Sequence, residues 1–166
     1  MAVLWMDGCD SYSSATDLAL RYPGSNTAAI GVNTTSGRFG GGSINGGDLG
    51  STQASYLGPA TFTHTGASAI IVGGANYPQT ATISSPVLAL GNSLGTGATI
   101  ELHLWYTSGV YTLRRGYNGT VIATASVGHP NGVWHHLELK ATCHDTTGTA
   151  ELRVNGQTVI NFTGDT

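Results

Sequence analysis

The chain has 166 residues and a formal net charge of −3, with 9% of residues charged, 40% hydrophobic and 25 glycines. So few charges, against a usual quarter or so, mean a surface built from hydroxyls, amides and backbone, while the patterned apolar runs exclude a disordered chain. Lys140 is the only lysine and there is no basic stripe, which gives nucleic-acid binding little support.

In chain order, residues 2–6 read as a first strand. Ser13 or Ser14 can cap a short helical turn reaching Arg21, which Pro23-Gly24 stops. Residues 28–32 and 38–44 read as strands joined by a turn at Thr35-Ser36-Gly37. The run Gly40-Gly41-Gly42 suggests a bulge or a close backbone approach. Residues 46–58 form a polar, glycine-spaced loop, and 69–73, 80–84 and 87–90 are short strand candidates.

The centre is clearer. Thr99-Ile100-Glu101-Leu102-His103-Leu104-Trp105-Tyr106 alternates, with Leu102 and Leu104 on one face and Glu101, His103 and Trp105 on the other. Ser108-Gly109 turns the chain into a strand over 110–113, and Arg114 and Arg115 break the alternation. Asn118-Gly119 makes a further hairpin into 120–127. His129-Pro130-Asn131-Gly132 is then a loop before the final strands.

The last third reads as a three-stranded antiparallel meander. Its second turn is Asn155-Gly156, a strong signal for a two-residue hairpin. Its first hairpin has one register that satisfies both faces. Leu139 opposite Leu152 brings Leu137 to Val154 and Ala141 to Ala150 on one side. On the other it sets Glu138 opposite Arg153 and Lys140 opposite Glu151. A slip of one residue would destroy both sets. These charged pairs mark the register more than they supply stability. Many short strands, frequent turn signals and at most one short helix predict an all-β antiparallel sandwich, taken as one domain over 1–166.

The pattern Gly132-Val133-Trp134-His135-His136-Leu137-Glu138-Leu139, then a polar loop and a strand ending in Asn155-Gly156, resembles the closing hairpins of laminin-G-like, concanavalin A-like lectin/glucanase domains. Leu4-Trp5-Met6-Asp7-Gly8-Cys9-Asp10-Ser11-Tyr12 and Gly37-Arg38-Phe39-Gly40-Gly41-Gly42-Ser43-Ile44 are similar to the start of bacteriophage virion proteins that carry such a domain. Cys9 stands where an aromatic is usual. The resemblance implies a jelly-roll sandwich with Trp134, His135, Asn155 and Gly156 as its structural motif. In that family the sequence continues into further strands, one of which pairs beside the first. Here it stops at Thr166. A longer polypeptide, a reduced sandwich and a strand from a neighbouring chain are all compatible with that. The working expectation is that another polypeptide covers the edge at residues 2–6.

The same fold includes glycoside hydrolases, whose retaining members need two carboxylates about 5–5.5 Å apart. Glu101 has no second acid within reach along its strand, and Glu138 and Glu151 face basic partners, so the chain is not expected to be an enzyme. Glu101, His103 and Trp105 have two readings: a carbohydrate-binding strip with Trp105 as stacking platform, or an ordinary face whose Trp packs against a strand or loop. The second is favoured. Trp134 and His136 form a similar row, with Trp134 read as structural, while His135 falls on the apolar face as a hydrogen-bonded core histidine.

No cofactor is expected and no metal ligand is assigned. Calcium, which the resemblance brings in, would have only the scattered Asp7, Asp10, Asp48 and Asp145. Cys9 and Cys143 are read as two thiols, because synthesis in a cytoplasm disfavours a disulfide. No secretory leader and no bilayer-spanning run is visible. Two functions follow. One is a structural virion protein that decorates or cements a phage head or tail, as a homo-oligomer or bound to the lattice of other virion proteins. The other is a carbohydrate-binding module for host-surface glycans. Neither needs nucleic acid or a membrane, and the virion is the expected location.

Overall fold

A computed structural model describes residues 13–14, 16–17, 20, 30–39, 43–46, 69–79, 84–91, 100–116 and 119–166. The expected first strand at 2–6, its proposed covered edge, Asp7, Cys9, Asp10, Gly40–Gly42 and Asp48 lie outside these residues. The described structure is almost entirely antiparallel β, with helical backbone only at residues 16, 17 and 20. The chain groups into two compact units, residues 1–64 with 94–97, and residues 65–93 with 98–166.

The first unit holds a two-stranded ribbon of β1 (Ile30–Asn33) and β2 (Ser43–Gly46), with Asn33 opposite Ser43. Asn33 Oδ1 accepts from the Thr35 amide at 2.9 Å and the Ser36 amide at 3.1 Å. This side-chain turn bends the chain away directly after β1. The second strand starts at Ser43 rather than at residue 38. Arg38 and Phe39 stay in the connection, with the guanidinium 5.1 Å from the ring centroid. Near the start, Ser14 Oγ accepts from the Asp17 amide at 3.2 Å, which makes Ser14 the cap of the two serines offered, and Ser13 Oγ donates to Asp17 Oδ2 at 2.7 Å.

The second unit is a sandwich of two four-stranded sheets. One is β4 (Ser84–Gly91), β5 (Ile100–Thr107), β6 (Val110–Arg115) and β7 (Thr120–Thr124) in chain order. The other runs β10 (Gln157–Gly164), β9 (Gly148–Val154), β8 (His135–Thr142), β3 (Ile70–Asn76). β3 and β8 are neighbours although the whole first sheet lies between them in sequence. Leu102, Leu104, Tyr106, Tyr111 and Leu113 from one sheet meet Leu137, Leu139, Leu152, Val154 and Ile160 from the other in one buried cluster. Each such leucine contributes roughly 1.5–3 kcal/mol by leaving water.

The predicted meander register is the observed one. Leu139 faces Leu152, Glu138 faces Arg153 and Lys140 faces Glu151. Both two-residue turns rest on left-handed backbone. Ser108 and Gly109 have φ of 49° and 88°, and Asn155 and Gly156 have 52° and 82°, the mirror-image turn that matches strand twist. Bulges depart from simple alternation. In β10 the register shifts between Thr158 and Ile160, so consecutive residues Val159 and Ile160 are both buried. In β4 a shift between Pro86 and Leu88 lets Val87 and Leu88 both pack on the core. The candidate at 87–90 lies within this strand, and of the candidate at 80–84 only Ser84 is among the described residues. Arg114 and Arg115 fall at the end of β6, opposite His103 and Leu102. Arg115 leaves the core by pairing with Asp165.

Candidate functional site

Three groups of polar or aromatic side chains arise from this architecture. The first is the outer face of β5 and β6. Leu102 and Leu104 point inward as expected, so His103 and Trp105 point out, yet they are only 2% and 7% exposed. Trp105 carries the Arg114 guanidinium 4.5 Å from its ring centroid. Thr112 lies beside it in register. Trp105 Nε1, Thr112 Oγ1 and Arg114 Nε are buried without a hydrogen bond. Burial lowers the pKa of His103. Trp105 is a packed side chain here, the second of its two sequence readings, and offers no open platform. Glu101 lies in the same strand; its side chain is not among those described.

The second group is the outer face of β8 and β9. Glu138, Lys140, Glu151 and Arg153 line a shallow depression together with Ile71 of β3. The cross-strand register is as expected, but the close ion pair runs along one strand. Arg153 Nε donates to Glu151 Oε1 at 2.6 Å, and Thr158 Oγ1 donates to the same oxygen at 3.2 Å. Residues two apart on a strand share a face, so Arg153 has Glu151 as well as Glu138 within reach. The Arg153 hydrogen bond is the main reason the Glu151 carboxyl lies below its usual range, with Lys140 adding a smaller push.

This face continues into an aromatic pair. Extending the β3–β8 register by one residue sets Tyr77 beside Trp134, and their ring centroids are 5.2 Å apart at 48°. Tyr77 is 41% exposed. Between this pair and Ile71 the outer face of β3 carries only Gly73 and Ala75. An aromatic end, a low floor and a polar row of His136, Glu138 and Arg153 lie side by side.

The third group is buried at the end of the sandwich, under the loop 125–134. Tyr111 Oη and His135 Nδ1 are 2.7 Å apart, and Asn76 Nδ2 donates to the same Tyr111 oxygen at 3.1 Å. Tyr106 Oη lies 2.9 Å from the His129 carbonyl and 2.8 Å from Asn131 Oδ1. The rings of Tyr111, His129 and His135 have mutual centroid distances of 5.4 to 5.7 Å. Burial raises the pKa of Tyr111 to about 12 and lowers those of both histidines. His135 is the hydrogen-bonded core histidine expected. The other members of the cluster, Asn76, Tyr106, Tyr111, His129 and Asn131, were not singled out. They come from separate strands and a loop, and only the inward parity of Tyr106 hinted at them.

Asn155, beyond its turn role, accepts from the His136 amide through Oδ1 at 2.8 Å and so ties the β9–β10 hairpin to β8. Cys143 is exposed after β8. No group of three or more His, Cys, Asp or Glu among the described residues is placed to hold a metal ion. No helix among them is long and apolar enough to cross a membrane. Comparison with protein-family models, with curated proteins and with solved structures finds no match for this chain.

Proposed function

We propose that this chain is a non-enzymatic structural component of a bacteriophage virion, decorating or cementing the head or tail through a lectin-like sandwich. The observation that carries this reading is the way the Trp-His segment is built in. Trp134 packs outside against Tyr77, His135 enters the core to Tyr111, and the strand continues into a meander closed at Asn155-Gly156. Those are the residues on which the resemblance to laminin-G-like, concanavalin A-like domains rests; the resemblance to phage virion proteins rests on residues 4–12 and 37–44. The low charge of the chain supports it too, since a surface of hydroxyls and amides suits packing on a lattice. Glu138 and Glu151 lie among Arg153 and Lys140, an arrangement suited to holding a sheet face rather than to proton transfer. Mass spectrometry of purified particles tests the reading. The chain should be present at a fixed copy number, and particles lacking it should lose stability. Its absence from the particles overturns the proposal.

The Tyr77–Trp134 pair favours a second reading, binding of a host-surface glycan. Recognition sites join aromatic surface to a few placed polar groups. A sugar ring stacked on Tyr77 would lie over Gly73 and Ala75 within reach of the His136 and Glu138 side chains. A glycan array with the wild type and Tyr77→Ala separates the readings. Binding that the substitution reduces at least tenfold, with unchanged melting, supports a glycan site. No binding to any glycan removes it.

A further inference from the structure

The buried cluster under loop 125–134 has a proton inventory that decides its behaviour. Tyr111 has one hydroxyl proton. Asn76 donates to its oxygen, and with the proton turned to His135 Nδ1 the Tyr111 hydroxyl both accepts and donates. In that arrangement His135 Nδ1 accepts, and the neutral ring carries its own proton on Nε2. Nε2 makes no hydrogen bond of good geometry, and the Pro130 carbonyl favours the protonated ring by less than burial disfavours it. Protonating His135 would set two donors against each other at 2.7 Å and place a cation in a site it fills at 1% exposure.

The groups facing this imidazole offer no relief. β3 contributes Asn76, β5 Tyr106, β6 Tyr111 and the loop His129. His129 is a second imidazole with its ring centroid 5.5 Å away and Nε2 buried without a partner. Among the described residues no carboxylate acts on either ring. Charging one histidine therefore makes charging the other harder while the cluster stays closed.

The loop itself is held by few ties. The Ala125 amide donates to the Tyr111 carbonyl at 2.8 Å, Ser126 to Val159 at 2.9 Å, His129 to Gly109 at 2.6 Å and Gly132 to Pro78 at 2.9 Å. Tyr106 adds its hydroxyl at the His129 carbonyl and Asn131. These four amide ties run along the loop, and the meander core beyond it is bonded independently by its ladders.

We infer that loop 125–134 is an acid-released latch, closed while His129 and His135 are neutral and opened when they take up protons. Both histidines are driven below their ordinary value of 6.5 by burial. A depressed pKa in the closed form means that closure is fully supported above about 6.5 and weakens as pH falls below it. Each histidine contributes up to roughly tenfold in the opening equilibrium per pH unit, and the two together up to roughly a hundredfold.

The inference stands apart from the proposed function and is tested without it. Hydrogen exchange of the whole chain is followed between pH 7.5 and 5, corrected for the intrinsic pH dependence of exchange. The amides of Ser126, His129 and Gly132 should lose protection below about pH 6.5 while those of Leu139 and Leu152 keep theirs. His129→Gln should remove about one histidine's share of that slope, and His135→Gln should remove more. If His135→Gln does not fold, His129→Gln alone decides. Protection that stays constant down to pH 5, falls only together with Leu139 and Leu152, or falls as steeply in His129→Gln as in the wild type overturns the latch.

Discussion

The outer faces of the two sheets begin from the same rule and end differently. Both are the polar side of alternating strands, His103 and Trp105 on β5, Glu138 and Lys140 on β8. On β5 and β6 that side is shut away from water, and its donors at Trp105, Thr112 and Arg114 make no hydrogen bond. On β8 and β9 it lies open and its charges are grouped by sign and reach. Alternation tells which residues share a face. It does not tell whether that face meets water, because burial depends on what lies above it.

The contrast can be broken by substitution. The largest effect is expected for Trp105→Ala, which should cost about 3–5 kcal/mol in denaturant unfolding, as for a core aromatic. A cost near that of an exposed residue would put Trp105 on the same footing as the meander face. Arg114→Met keeps most of the stem and removes the guanidinium from the indole, and should cost about 0.5–2 kcal/mol. A matching loss in Arg114→Met when Trp105 is already Ala would show that the two do not interact.

The faces should also fail in different pH windows. His103 has its pKa lowered by burial, so its support is complete above 6.5 and declines as the pH drops below that value. Glu151 has its pKa lowered mainly by Arg153, so its support declines only as the pH falls below 4.5. Unfolding free energy should therefore depend less on pH between 7.5 and 5.5 in His103→Gln than in the wild type, and equally in Glu151→Gln and the wild type. The smallest effect is expected for Lys140→Gln, within about 0.5 kcal/mol, measured by thermal or denaturant unfolding. A loss of core size there would mean that the charged pairs hold the meander rather than mark it.

The closing meander was legible because its information is local. Two hydrophobic rows, two opposite-charge pairs and an Asn-Gly turn all demand the register now observed. The bulge at Val159 was not, since an extra buried residue in β10 is a response to the core it faces. The cluster around His135 was half legible. Parity placed the ring inside, but Asn76, Tyr111 and His129 converge on it only through the pairing of β3 with β8 and the packing of one sheet on the other. The aromatic pair was hidden for the same reason, since Tyr77 and Trp134 are 57 residues apart and meet through the β3–β8 register.

The sequence by itself determined the all-β class, the strands from β5 onward in outline, both two-residue turns and the register of β8 with β9. Each depends on side chains close together in the chain or directly opposed across a short hairpin. Only the tertiary structure decided that Trp105 is packed while Tyr77 is open, that Arg153 bonds Glu151 along its own strand, and that two histidines share one buried site. Burial and long-range contact are properties of a surface and what covers it, and no local period encodes the cover.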